Sequence, residues 1–243
     1  VDVVIEKLQS ALVYTTLDLT NGFFHVPVEL ESQKYTSFVT QKGQYEFLYV
    51  PFGITNSPAV FTRFIMAVLR ELINSGDVVV YMDDVIVPSK NVCEGLVKLE
   101  KVLSVASENG LKINWSKCQV LQKKVNFLGY IVEGGTIKPS GEKTSATVNF
   151  PLPNDKKGVQ RFLGLTSYFR RFVKDFAVTA KPLSDLLRQN TKFKFDVLQK
   201  VAFEQLKVAL TSNPVLKLYN PKLETEIHTD ASKYGFGGVL LQK

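Results

Sequence analysis

Val78-Val79-Val80-Tyr81-Met82-Asp83-Asp84-Val85-Ile86-Val87 sets two adjacent carboxylates between two apolar, β-branched runs. Residues branched at Cβ favour extended backbone, so the pattern predicts strand, two-residue turn, strand. Two neighbouring aspartates at the tip of such a hairpin repel each other and lose water beside apolar surface. A divalent cation removes that cost. The simpler reading is an ordinary Asp-rich turn, since Asp is a favoured turn residue. The rest of the chain decides between the two.

Upstream, the segment from Leu12 to Leu19 is rich in apolar and β-branched residues and predicts a strand. Asp18 lies near its end, between Leu17 and Leu19. An Asp in an apolar strand needs a partner: a metal, an Arg or backbone N–H groups. Alternatively it caps the Thr20-Asn21-Gly22 turn. Successive strand residues face opposite sides, so Asp83 and Asp84 are not expected to contribute equally. Asp18 on a neighbouring strand would complete a carboxylate set suited to Mg²⁺, which takes a few carboxylates plus substrate phosphates. Two such ions about 3.5–4 Å apart serve in-line phosphoryl transfer.

At these residues the sequence resembles the reverse transcriptases of gypsy-type long-terminal-repeat retrotransposons. Leu17-Asp18-Leu19-Thr20-Asn21-Gly22-Phe23-Phe24 is similar to polymerase motif A. Pro51 to Phe61 is similar to motif B, Tyr81 to Asp84 to motif C, and Phe127-Leu128-Gly129-Tyr130 to the primer grip. Arg161 to Phe172 and Thr229 to Gly235 resemble the regions that follow the polymerase. The order and spacing fit over essentially the whole chain.

The resemblance implies an α+β fold: a right-hand polymerase palm with partial fingers, a helical thumb and the truncated beginning of an RNase H-like domain. The expected divisions are 1–133 for partial fingers and palm, 134–210 for a basic thumb and connection, and 211–243 for the incomplete RNase H-like start. It implies two Mg²⁺ or Mn²⁺ ions on Asp18 and Asp83, with Asp84 secondary and the Leu19 carbonyl assisting. Lys117 would protonate the pyrophosphate leaving group. Phe23 would be a steric gate against a ribose 2′-OH, and Phe52 and Gly53 would shape the nucleotide pocket. Some retroviral enzymes carry Gln where Phe52 stands. Leu128 and Gly129 would position the primer end. Gln160, Gly164 and Tyr168 would follow the primer–template duplex. Asp230 resembles the first metal carboxylate of an RNase H site, whose other acidic residues are not present. The implied partners are an RNA or DNA template, a primer, dNTPs and the rest of a pol polyprotein, in an intracellular setting: cytoplasm, nucleus or virus-like particle. The basic finger residues that grip the triphosphate lie upstream of motif A in this family, so low or no activity is expected of these residues alone. The competing reading is a non-catalytic nucleic-acid-binding remnant of a retroelement.

Composition agrees. The chain has 243 residues, 45% of them hydrophobic, enough for one large or two small cores. No apolar run approaches the length of a membrane span, and no membrane partner is expected. Cys93 and Cys118 have no metal-ligand spacing and read as free thiols; His25 and His228 read as packing or surface residues. The net charge of +7 is uneven. Residues 1–150 hold 14 Lys and Arg against 15 Asp and Glu, and residues 151–243 hold the other 16 against 8. A basic half beside a carboxylate-bearing half suits a nucleic-acid channel.

Periodicity predicts one helix over Ala59–Asn74 and a second over Cys93–Asn109, ended by the Asn109-Gly110 pair, with Leu96, Leu99, Val102, Leu103 and Ala106 inward. Tyr35–Val39 and Tyr45–Val50 are expected to pair across Gly43. The Gly and Pro residues of 134–153 predict a hinge. Asn154 or Asp155 should cap a helix whose core stripe is Phe162, Leu165, Phe169, Phe172 and Phe176. Leu198–Leu210 should be a further helix, ended by Asn213-Pro214, and Glu226–Asp230 a strand.

Overall fold

The computed structural model describes residues 1–212, 214–233 and 235–242. They divide into two compact units. The first comprises residues 1–125, 133–135 and 218–243, and the second 126–132 and 136–217.

The first unit begins with α1 (Asp2–Glu6) and β1 (Val13–Asp18). A short helix α2 (Leu30–Gln33) precedes the hairpin of β2 (Phe38–Thr40) and β3 (Gly43–Tyr45). The expected hairpin across Gly43 therefore forms, but it is shorter: Lys34–Thr36 is a 3₁₀ turn, and Phe47 spends its N–H on Thr36 Oγ1. The predicted helix over 59–74 is two helices, α3 (Ser57–Val68) and α4 (Arg70–Asn74), separated at Leu69, whose ψ of 14° leaves the helical range. Next come β4 (Val79–Tyr81), β5 (Asp84–Ser89) and α5 (Val92–Glu108). After β6 (Gln119–Gln122) the sheet is complete, in the order β4-β5-β1-β6, antiparallel throughout.

One face of this sheet packs on the helices α3 to α5. Leu17, Val85 and Val87 pack with Phe61, Ile65, Leu69 and Leu72 of the α3–α4 region and with Leu99, Val102 and Ala106 of α5. Fully burying each large side chain contributes about 1.5–3 kcal/mol. Leu96 is not inward, as periodicity predicts, but 52% exposed. Gly95 takes that place instead: a Cβ there would lie 2.7 Å from Leu121 Cδ2 and 2.9 Å from Ser89 Oγ, so the close approach of α5 to the sheet needs a glycine. Asn91 caps α5 through the Glu94 N–H, and Gly110, at φ 66°, follows its end as expected.

The second unit is built on β7 (Lys124–Phe127), β8 (Tyr130–Glu133) and β9 (Thr136–Pro139), of which β7 begins and β8 ends in the first unit. The expected hinge over 134–153 is a correction. Gly134 and Gly135 (φ 53° and 73°) make a two-residue turn, and behind it lie β9 and α6 (Gly141–Val148). Asp155 caps α7 (Lys156–Tyr168), accepting from the Gly158 N–H at 2.6 Å. The core stripe is also revised: Val159, Phe162 and Thr166 are buried from α7, Phe169 and Phe172 from the 3₁₀ turn that follows, and Leu165 and Phe176 are only half-buried. α8 (Phe176–Asp185) and α9 (Val197–Thr211) complete the helical part, with Phe162 and Phe203 ring centroids 4.3 Å apart. β10 (Leu216–Lys217) adds to β9. The expected break at Asn213 falls outside the described residues.

β11 (Thr225–Ser232) and β12 (Gly235–Gln242) form an antiparallel hairpin within the first unit, paired from Thr225↔Gln242 to Ser232↔Gly235. Among the described residues no helix is long and apolar enough to cross a membrane.

Candidate active site

Strand register brings the carboxylates together. β1 and β5 pair from Val13↔Ser89 to Asp18↔Asp84, so these two aspartates face each other across adjacent strands at the end of the ladder. Asp83 lies one residue earlier, in the turn. The turn is made by Met82 and Asp83, not by the two aspartates, because Asp84 already pairs with Tyr81. Met82 stands at φ 56°, a left-handed conformation costly for a residue with a side chain. Burial pushes the Asp84 carboxyl above its ordinary value, and the charges of Asp83 and then Asp18 push it further the same way. The charges of Asp83 and Asp18 thus lie close enough to oppose ionisation of Asp84, and the three carboxylates form one cluster. They are hard oxygen donors, which fits a hard divalent cation. Among the described residues, however, no three His, Cys, Asp or Glu side chains are arranged to hold a metal ion. Asp18 instead turns one oxygen to Lys117 Nζ at 3.7 Å. Both side chains are well exposed, so this pair contributes little to stability.

A segment beyond α5 braces the end of β1. The Asp18 carbonyl accepts from the Asn114 N–H at 2.9 Å, Leu19 bridges to Ile113, and the Thr20 N–H donates to the Lys112 carbonyl at 2.8 Å. Cys118 Sγ lies 3.5 Å from the Asp18 nitrogen and donates to the Asn114 carbonyl at 3.2 Å. Sequence reasoning singled out Lys117 in this segment but missed its bracing of β1, since pairing across a hundred residues leaves no local pattern.

Phe23 sits in a 3₁₀ turn, Gly22–His25, immediately after β1. Its ring lies 4.9 Å from Phe52 and 5.7 Å from Phe61. A Cβ on Gly22 would come within 3.0 Å of Phe61 Cζ, so glycine lets this turn settle on the core. Phe52 is 58% exposed, and Gly53 follows at φ 91° with open space where a side chain would be. Their loop is anchored by the buried Ser57, whose hydroxyl donates to the Pro51 carbonyl at 2.7 Å. The structure therefore brings Phe23 and Phe52 together.

In the second unit, Leu128 (φ 50°) and Gly129 (φ 76°) form the turn between β7 and β8. Tyr168 holds that turn: its hydroxyl donates to the Leu128 carbonyl at 2.7 Å, and its ring stacks on Tyr130 with centroids 5.5 Å apart. Leu128, Gly129, Lys143, Gly164 and Tyr168 line a groove of about 400 Å³. Lys143 is an addition that the sequence did not single out. Gln160 is exposed on α7 but does not line the groove. Asp230 is exposed on β11, where its carboxylate accepts from the Ala231 N–H at 2.9 Å.

Comparison with known proteins identifies the family. Residues 2–132 match the family described as reverse transcriptase (RNA-dependent DNA polymerase), and residues 195–243 match the RNase H-like domain found in reverse transcriptase. The retrovirus-related Pol polyprotein from transposon 297 of Drosophila melanogaster is 38% identical over 99% of this chain and 23% of its own length. That from transposon gypsy of the same organism is 33% identical over 100% of the chain and 24% of its own length. The Tf2-3 polyprotein of Schizosaccharomyces pombe is 31% identical over 100% of the chain and 18% of its own. The chain thus spans about a quarter or less of these curated relatives. Among solved structures, a foamy viral protease-reverse transcriptase in complex with double-stranded DNA superposes with a TM-score of 0.84 at 26% identity, over 97% of this chain and 44% of that one. A second, in complex with RNA/DNA hybrid, gives 0.79 at 26% identity, over 98% of this chain and 35% of that one. The α+β architecture is that of these enzymes, and their family depends on divalent metals in general. This chain belongs to the reverse transcriptase family, in the branch of the transposon Pol polyproteins.

Proposed function

We propose that this chain carries the polymerase core of a retrotransposon reverse transcriptase, extending a primer 3′-OH with dNTPs on an RNA or DNA template. The observation that carries the reading is the register Asp18↔Asp84, with Asp83 at the apex beside it. Asp18 and Asp83, with the Leu19 carbonyl and with Asp84 secondary, would hold two Mg²⁺ or Mn²⁺ ions once the Asp18 side chain turns from Lys117. When bound, such ions lower the pKa of the attacking hydroxyl and offset charge on the phosphates.

The primer 3′-oxygen attacks the α-phosphorus, and the bond to pyrophosphate breaks. Lys117, beside Asp18, is placed to give the leaving group a proton. Phe23, backed by Phe52 and Phe61, presents an apolar edge that rejects a 2′-OH. Leu128 and Gly129, fixed by Tyr168, support the primer end, and the open face of Gly164 admits a sugar–phosphate backbone. Gln160 lies on the same exposed side of α7 and serves as a flanking duplex contact. Asp230 would be the first ligand of an RNase H site. The foamy viral neighbours, solved with double-stranded DNA and RNA/DNA hybrid, support such a duplex as partner.

The test is primer extension on poly(rA)/oligo(dT) with Mg²⁺ and dTTP, using the parent, Asp83→Asn and a version extended upstream. Extension that disappears in Asp83→Asn is the expected result. Duplex binding without extension in either unmutated form would replace this reading with a binding-only role.

A further inference from the structure

His25 contacts two backbone groups, one on each of the segments that meet at the end of β1. Its Nε2 lies 2.9 Å from the Lys112 nitrogen, and its Nδ1 lies 3.0 Å from the Gly22 carbonyl oxygen. A backbone N–H only donates and a carbonyl only accepts. Nε2 must therefore carry the lone pair and Nδ1 the proton. The two contacts together select the neutral Nδ1–H form of the ring.

Each contact reaches a functional element. Gly22 precedes Phe23, and its tight packing on Phe61 leaves the turn no room to shift inward. Lys112 belongs to the brace, where its carbonyl accepts from the Thr20 N–H and its neighbours Ile113 and Asn114 hold Leu19 and Asp18. The imidazole thus closes a ring of backbone contacts between the Phe23 turn and the strand end that bears Asp18. Phe52 packs on Phe23, so motion of the turn would reach the pocket loop as well.

We propose that His25 is a positioning residue that holds the Phe23 turn in register with the carboxylates and thereby sets selection of deoxyribose over ribose. This rests on the polymerase reading above. Loss of the imidazole removes a hydrogen bond on each side, and loosening by one ordinary hydrogen bond corresponds to about a fivefold change in selectivity.

The experiment has two arms, each using the whole chain. In the first, long-range ¹H–¹⁵N correlation of the imidazole reports the tautomer, and hydrogen exchange reports the Lys112 amide. The Nδ1–H form, with a Lys112 amide that exchanges faster in His25→Ala while amides of α5 do not, supports the clamp. The Nε2–H form, or a Lys112 amide indifferent to the substitution, overturns it whether or not the chain polymerises. In the second arm, dTTP and UTP incorporation are compared on poly(rA)/oligo(dT). His25→Ala should lower the preference for dTTP about fivefold. His25→Gln, whose amide supplies both an acceptor and a donor, should restore it. Equal preference in parent and His25→Ala overturns the role in sugar selection, because a purely structural loss lowers both rates together. Absence of Asp83-dependent extension in both the parent and the version extended upstream sinks the polymerase reading and this role with it, while the first arm still reads the clamp separately.

Discussion

Ser57→Ala should loosen the pocket loop measurably. Ser57 is 1% exposed, and its hydroxyl donates to the carbonyl of the buried Pro51 at 2.7 Å. Alanine removes the donor but leaves the carbonyl dry. The cost is the desolvation of that carbonyl as well as the lost bond, about 1–3 kcal/mol. For a chain of this size each kcal/mol lowers the melting temperature by about 2–4 °C, so a fall of about 4–8 °C is expected at the middle of that range. The bond spans the loop that carries Phe52 and Gly53. Limited proteolysis should therefore cut first between Pro51 and Ser57 in the variant, and its KM for dTTP should rise more than its kcat falls. Ser57→Cys, retaining a weak donor, should lie between. A melting temperature within about 1 °C of the parent, well below the range computed above, with an unchanged cleavage pattern, would refute the reasoning. It would mean that water or a shifted backbone satisfies Pro51 at no cost.

Three further outcomes follow from the geometry. Asp84→Asn should raise stability in metal-free buffer at neutral pH. The Asp84 carboxyl is held above its ordinary 3.8, so stability falls as pH rises through that value toward the raised one, and the deficit persists above it. The gap between variant and parent should close in acid, and a gap independent of pH in thermal melts contradicts the carboxylate cluster. Gly22→Ala places a Cβ 3.0 Å from the buried Phe61 ring and should cost about 1–3 kcal/mol by overpacking, read as a lower urea midpoint; no change would show that Phe61 yields freely. Asp155→Ala removes the cap of α7 and should cost about 1 kcal/mol, with faster amide exchange at Gly158; unaltered exchange there would refute the cap.

What the sequence disclosed was chemistry carried by local pattern. The strand–turn–strand around Asp83, the strand ending at Asp18, the Asp155 cap and the Asn109-Gly110 terminus all follow from neighbouring residues. Features that depend on a distant partner stayed hidden. Leu96 has the right spacing to be buried, but the sheet approaches α5 at Gly95, which no helical period reveals. The glycines and prolines of 134–153 look like a linker until β9 pairs with β10. His25 appears ordinary because both its partners are backbone groups, one of them 87 residues away in sequence. Gln160, Gly164 and Tyr168 share a helical face as spacing requires, yet only the last two reach the groove beside Leu128, since the turn there lies near the end of α7.

The wiring of β1 has a consequence for how the molecule assembles. Its partners β5 and β6 arrive late in the chain: Thr15 accepts from the Leu121 N–H across 106 residues, and Asp18 meets Cys118 across 100. Closing such loops costs entropy before any contact repays it, so long-range pairing is the slow part of folding. When the whole chain refolds, the β11–β12 hairpin and the helices α5 and α9 form from near neighbours and should appear first. On a ribosome, Asp18 emerges long before Asp84 and waits for it, and the brace from Lys112 to Cys118 comes later still. The carboxylates and their brace would then be complete only once Cys118 has emerged, after α1 to α5 but before α6 to α9 are made.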